Sequence, residues 1–489
     1  MNVLSDIQPK NVFRFFEEIS AIPRGSRNTK AVSDYLVAFA KARGLEHYQD
    51  ALNNVIIIAP AAPGYESAEP VILQGHMDMV CEKAPDCDKD MEREGLDLAV
   101  EGDCVFARGT TLGADDGIAV AMALAVLDDA TLPRPRVEAV FTVDEEIGMG
   151  GAMGIDLSPL RGQRLINLDS EEEGIFTVGC AGGAGVCCTV PVGREAFGGT
   201  ALDIALTGLL GGHSGAEIDK GRANPNLLMG RLLYALGKAA DMRLVSVRGG
   251  LKDNAIPTAS YASVIVRDAE AARGVCAAME AAFRNEYRVT DAGISVTVTP
   301  GAESTPMDKV STARAVTLLC CAPNGIQEMS ADIPGLVQTS LNLGILTTDR
   351  DGVHATFSVR SSIDSQKRML IDRLTALTES LGGEVTVDGD YPGWEYAPVS
   401  PLRELMRDVF TEQYGREPVI AAIHAGLECG LLISKLPGLD CVSLGPDIDE
   451  IHTFREKLHI ASTQRTWALL TETLKRMKYQ SKPPVEPVV

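Results

Sequence analysis

The sequence predicts an α/β protein: a discontinuous first domain with a mostly parallel, mixed sheet flanked by helices, and an inserted α+β domain in two parts. Three observations predict it. Short β-branched runs bounded by turn residues alternate with helical patterns in the N-terminal part. The middle carries two similar strand-helix-strand segments, a weak internal repeat that suggests an insertion of two related halves, with chance similarity of two common units as the alternative. Sheet-forming character then returns near "EPVIAAIHAGLECG". The first domain is expected over residues 1–183 and 399–489, the insertion over 184–398.

In order along the chain, apolar residues recur at helical spacing from Lys30 to Arg43, and Gly44 stops them. "NNVIIIAP" and "EPVILQG" follow as buried strands, then a helix over Gly117 to Asp128, then the strands "VEAVFTV" and "RLINLD", and much later "LDCVSLGP". In such a sheet, ligands gather at the carboxyl ends of the strands, where His76, Glu145 and Asp169 sit. In the middle, "TALDIALTGL" alternates like a half-exposed strand. The two related segments there are "ASVIVRDAEAARGVCAAMEAAF" and "ATFSVRSSIDSQKRMLIDRLTAL". The Pro-rich end "SKPPVEPVV" is expected to be a frayed tail.

At 489 residues the chain exceeds a single core. Hydrophobic residues make up 45% and charged residues 23%, the balance of a soluble globular protein. A net charge of −22, from 45 Lys+Arg against 67 Asp+Glu, argues against nucleic acid and anionic membrane as partners. Eleven scattered cysteines without CxxC spacing suit buried free thiols in a reducing compartment. The N-terminus has acids and a proline where a signal peptide needs a basic and then an apolar segment. The longest apolar stretch, Ile118 to Leu127, is too short to span a bilayer. A cytoplasmic protein is expected.

The chemistry begins with "LQGHMDMV", which closes a buried strand on His76 and Asp78. At a side-chain period of two, both point to one side. The acid can therefore orient the imidazole for a metal, although a histidine satisfied by a neighbouring acid without metal is the commoner case. In "GTTLGADDGIAVAMA", Asp115 and Asp116 precede a helix. Helix capping accounts for Asp116, whereas Asp115, after the small Gly113-Ala114, is a candidate to bridge two cations. "FTVDEEIGMGGA" places Asp144, Glu145 and Glu146 after an apolar strand, where adjacent acids repel one another unless a cation or proton offsets them. Neighbouring side chains diverge, so one Glu can ligate while the other serves as general base. "INLDSEEEG" adds Asp169 at a strand end, with Glu171, Glu172 and Glu173 read as a solvated run or a helix start. "DEIHTFREKLHIAS" offers His452 and His459.

In order, "HMDMV", "GADDG", "EEIGMGGA", "NLDSEEEG", "GGHSG", "NAIP", "VRSSIDS" and "HAGLECG" resemble the di-zinc dipeptidases of the carboxypeptidase G2, aminoacylase and carnosinase superfamily. The resemblance runs from near residue 10 to about 475. It implies that His76, Asp115 and Asp169 hold one zinc, and that Asp115, Glu146 and His452 hold a second. It also implies that Asp78 orients His76 and that Glu145 is the catalytic base. His452 is followed after three residues by Glu456, as in the family. Related dipeptidases tend to have Ser-Pro after this histidine, whereas this chain has Thr453-Phe454.

The implied activity is hydrolysis of dipeptides, Xaa-His such as β-alanyl-histidine among them, with two Zn2+ per chain; Mn2+ and Co2+ accept the same ligands. The resemblance gives His213, in the glycine-flanked turn of "LLGGHSGAEI", the role of stabilising the oxyanion, which requires the inserted domain to close as a lid. Arg360 suits a substrate carboxylate through bidentate pairing, and Asn254 can add a hydrogen bond there. Glu428 is a candidate for the substrate amino group, although it and His424 equally suit a supporting role. The alternatives are an N-acyl-amino-acid amidohydrolase with the same chemistry and a catalytically silent metal-binding scaffold. The protein is expected as a monomer or homodimer.

Overall fold

The computed structural model describes residues 3–479; the Pro-rich segment 481–489 lies outside them. The chain divides into two compact units. One contains the residues up to Val178, Ala397–Ala421 and those from Leu431 on; the other contains Gly179–Tyr396 and Ala422–Gly430.

The first unit is built on an eight-stranded sheet. Its order is Glu46–Gln49, Val55–Ala59, Val137–Thr142, Val71–His76, Arg164–Asn167, Asp440–Ser443, Ile175–Cys180, Val419–Ile423. The middle four strands run parallel, and Glu46–Gln49 with Val55–Ala59, Val55–Ala59 with Val137–Thr142, and Asp440–Ser443 with Ile175–Cys180 pair antiparallel. Each predicted strand of this sheet is present. Val71–His76 and Val137–Thr142 are buried throughout, as strands covered on both faces must be. Register sets His76 beside Thr142 and Gln74 beside Asn167, so three neighbouring strands end on one rim.

Helix Lys30–Arg43 has the predicted bounds, and Gly44 closes it in the left-handed region at φ 64. Helix Ala114–Asp128 is buried from Ala114 to Leu127, as a segment apolar on every side should be. Its regular part begins where the sequence places it, because Asp115 and Asp116 depart from helical dihedrals. The alanines let it lie close against the sheet. A Cβ on Gly75 would stand 2.4 Å from Asp116 Oδ2 and 2.6 Å from Ala119 Cβ, so the strand has room only for glycine there. A small sheet of Ile448–Asp449, Lys457–His459, Cys104–Ala107 and Leu98–Glu101 presents the loop 450–456.

The second unit holds a nine-stranded antiparallel sheet. Its path runs Ser295–Pro300, Thr200–Thr207, Ser260–Val266, Met242–Gly249, Val337–Thr348, Gly352–Ser361, Gly182–Pro191, Glu384–Tyr391, with Gly325–Met329 pairing beside Val337–Thr348. The two related segments take equivalent places counted from the two edges. Ser295–Pro300 and Glu384–Tyr391 are outermost, and Ser260–Val266 and Gly352–Ser361 lie third from their respective edges. The duplication seen in the sequence is thus a duplication in space. One apolar cluster, with Leu202, Val264 and Phe283 from one half and Val186, Phe357 and Leu374 from the other, makes the halves share a core.

Gly75→Ala is expected to destabilise the protein by about 1–3 kcal/mol, the usual cost of overpacking. A lower urea midpoint at unchanged slope would report it.

Candidate active site

Behind the rim where three strands end, His76 is almost fully buried. Its Nε2 lies 3.1 Å from Asp115 Oδ1 and 3.7 Å from Asp169 Oδ1. Its Nδ1 lies 3.1 Å from the Asp78 carbonyl oxygen and 3.5 Å from Asp78 Oδ1, so the main chain of Asp78 is the nearer acceptor. The Asp78 carboxylate has further partners. It accepts the Ser26 hydroxyl at 2.8 Å and the Glu145 N–H at 3.2 Å, which ties the strand end to the acidic loop.

The other oxygen of Asp115, Oδ2, lies 3.0 Å from His452 Nε2, and that nitrogen is also 3.0 Å from Glu146 Oε2. One carboxylate therefore faces two imidazoles, one with each oxygen. Three sets of residues bring potential ligand atoms within 4.8 Å of one another: His76, Asp116 and Asp169; His76, Asp115 and Glu146; Asp115, Asp169 and Glu171. The fold thus gathers His76, Asp115, Glu146, Asp169 and His452, with Asp78 and Glu145 at their edge. His459 goes elsewhere, 2.8 Å from Asp449. The Thr453 hydroxyl donates to the Glu450 carbonyl at 2.8 Å, and His452 takes a left-handed φ of 61.

Two readings of the acids need correction. Asp116 does not cap the helix; its Oδ2 accepts the His76 N–H at 3.1 Å. Glu171–Glu173 start no helix, and only Glu172 of the three is exposed as a solvated run would be. Glu171 turns toward Asp115 and Asp169, and burial, then the Asp115 charge, pushes its pKa up to about 7. Glu173 receives Arg465 at 2.7 and 2.5 Å and the Tyr414 hydroxyl at 2.6 Å. These partners lie far along the chain, so no local pattern announces them. The cysteines are free, but five of the eleven are buried while Cys81, Cys320 and Cys321 are exposed.

Two buried charges escaped the sequence reading of the site. Arg24 donates to the carbonyls of Met77 at 3.0 Å, Asp78 at 3.2 Å and Gly113. Glu456, noted only for its spacing from His452, accepts the N–H groups of Leu112, Gly113, Ala114 and Asp115 at 2.8, 2.9, 2.8 and 3.3 Å. A lone arginine in "IPRGS" carries no periodic signal that would mark it as buried.

The donor set suits divalent metal. Burial, then the Asp169 charge, holds Asp116 well above the usual carboxylate range, and burial does the same for Asp169 although the His76 charge opposes it. Hydrogen bonds to Asp115 and Glu146 push His452 up to about 10, and Glu146 Oε1 is buried without a hydrogen-bond partner. Burial opposes charge on His76, but Asp169, Asp115 and Asp78 outweigh it and raise its pKa well above normal. Clustered carboxylates and imidazoles with surplus negative charge are what such ions bind.

Comparison with known proteins agrees. The model of peptidase family M20/M25/M40 matches residues 72–476. The chain belongs to this family. As a metallopeptidase of the family, it is 36% identical over 486 residues to the cytosol non-specific dipeptidase of Escherichia coli (strain K12), covering 98% of this chain and 99% of the relative. The crystal structure of aminoacylhistidine dipeptidase from Vibrio alginolyticus is similar at a TM-score of 0.92 and 35% identity, over 97% of this chain and 98% of that one. A tripeptidase from Staphylococcus aureus, at 16% identity and a TM-score of 0.55 over 97% of this chain and 100% of its own, shares the fold. Among the described residues no helix is long and apolar enough to cross a membrane.

The second unit groups the remaining candidates. His213 Nδ1 accepts the N–H groups of Gly215 at 3.1 Å and Ala216 at 2.9 Å, so in the neutral ring the proton resides on Nε2. Asn254 adjoins it: its carbonyl accepts the Ser214 N–H at 2.9 Å, and Gly212–His213 pairs with Ala255–Ile256. Arg360, largely buried on Gly352–Ser361, lies 3.4 Å from the Tyr391 hydroxyl. His424 Nε2 is 2.7 Å from Ser340 Oγ, and Glu428 is fully buried at the start of Glu428–Lys435.

Burial first, then the charges of Arg360 and His213, lower the His424 pKa to about 4. An unfolded histidine titrates near ~6.5. Between these values the unfolded chain binds the extra proton and the folded one does not. This contribution to stability is therefore complete above the higher value and is lost as pH falls toward the lower. Urea midpoints from pH 7 to 4.5 are expected to fall more steeply for the parent than for His424→Asn.

Proposed function

We propose that this chain is a cytoplasmic dipeptidase, a monomer or homodimer, with Xaa-His substrates such as β-alanyl-histidine in its range. Two zinc ions, replaceable by manganese or cobalt, would be held by His76, Asp115 and Asp169 and by Asp115, Glu146 and His452. The observation that carries this reading is the Asp115 carboxylate facing an imidazole with each oxygen, at 3.1 and 3.0 Å. Near full-length similarity to two bacterial dipeptidases supports the substrate class.

Bound there, such ions would supply a water of pKa ~7 and Lewis acidity toward a carbonyl. Glu145 then takes the proton of the attacking water and passes it to the leaving amine. Asp78 keeps that base in place by accepting its main-chain N–H at 3.2 Å. His213, with Nδ1 occupied by two N–H groups, presents Nε2–H as a donor to the oxyanion. Arg360 receives the substrate carboxylate, with Asn254 beside it. The complete burial of Glu428 favours support of its own segment over contact with the substrate amino group.

Glu145→Gln is expected to lower kcat by about 10²–10⁴-fold while zinc content by elemental analysis stays at the parental level. Retained turnover would remove the base assignment. His213→Ala is expected to cost about 10²–10³-fold in kcat. β-Alanyl-histidine should be cleaved and its N-acetyl form left intact; cleavage of the acetylated compound would indicate an N-acyl-amino-acid amidohydrolase instead.

A further inference from the structure

Three separate stretches carry three of the five proposed ligands, His76, Asp115 and His452: 76–78, 112–115 and 452–456. Two buried ions join them through main-chain atoms. Glu456 stands four positions beyond His452 and gathers four successive N–H groups, the last belonging to Asp115. Arg24 takes the same segment from its carbonyl side at Gly113 and reaches the two carbonyls that follow His76. Arg24 is 1% and Glu456 2% exposed, so both act without solvent screening. Burial disfavours the charge on Arg24, and Glu456 is the largest charge opposing that effect.

An Asp115 carboxylate at 3.1 Å from one imidazole and 3.0 Å from the other has little freedom to slide. Shifting its backbone along the loop opens one contact as it closes the other. Side-chain packing alone holds such a loop weakly. Hydrogen bonds to ionised groups are stronger and more directional.

We propose that Arg24 and Glu456 are positioning residues that clasp the Asp115 loop from both sides and so set the affinity of the chain for a pair of divalent ions. The proposal rests on the metal-pair reading above. Neither residue needs to touch substrate or the reacting water. Its effect is to hold His76, Asp115 and His452 in mutual register.

The test uses the full chain and zinc alone. Zinc stoichiometry and affinity are measured by chelator competition for the parent, Glu456→Gln, Arg24→Lys and Gly113→Ala, alongside thermal unfolding of each metal-free protein. Gly113→Ala leaves both charges in place but sets a Cβ 2.6 Å from Arg24 Nη2. The expected result is a loss of zinc affinity of about 10–100-fold, the usual effect of removing a partner that orients a ligand, with two ions still bound at high zinc. Parental affinity in the folded variants would overturn the clasp, even if their metal-free Tm fell, because that is the signature of a structural role only. Should Glu456→Gln fail to fold, the other two variants decide the question. A parent that loads fewer than two ions would instead overturn the metal-pair reading itself, and the clasp with it.

Discussion

The approach of the buried helix Ala114–Asp128 to the strand Val71–His76 at Gly75 is the contact on which the site depends. Without it Asp116 could not accept the His76 N–H, and Asp115 would not stand between His76 and His452. A helix of mostly alanine, valine and leucine is driven inside because no face of it prefers water. Its first residues are then obliged to carry two aspartates into the interior. The apolar burial of the helix is what holds that charge where chemistry needs it.

Crowded carboxylates repel, and the fold manages the repulsion in several ways. Parallel register brings strand ends together so that His76, Glu145, Glu146 and Asp169 emerge from neighbouring strands. Two imidazoles separate the acids. Glu456 is offset by four backbone N–H groups rather than by a facing side chain. The surplus negative charge makes the site a receptor for cations. In the second unit, burial first and then the charges of Arg360 and His213 hold His424 below its ordinary pKa.

Much of this was legible along the chain. The predicted strands of the first sheet and helix Lys30–Arg43 appear in place because β-branched runs and helical spacing are local signals. The duplication in the second unit was visible because two copies of one strand-helix-strand unit repeat their apolar pattern, and the sheet order places them equivalently. His76, the pair Glu145 and Glu146, and Asp169 stood out as a histidine and acids at strand ends, and Asp115 as an acid beside small residues; the choice of Glu146 over Glu145 and of His452 over His459 came from the family resemblance. Arg24, the inward turn of Glu171, and the pairing of Glu173 with Arg465 and Tyr414 were not legible. Each depends on a partner at a distance that periodicity does not encode.

What the sequence determined by itself was the kind of each element and the residue types available at strand ends, because backbone preference and apolar patterning act between near neighbours. Only the tertiary structure decided which acid faces which imidazole, that the main-chain carbonyl of Asp78 is the nearer acceptor for His76, and that Asp116 serves a strand rather than its own helix. Those outcomes are fixed by contacts of about 3 Å between residues that stand 2, 39, 40 and 337 positions apart, and hydrogen bonds of that length form only once the packed core has set the backbone.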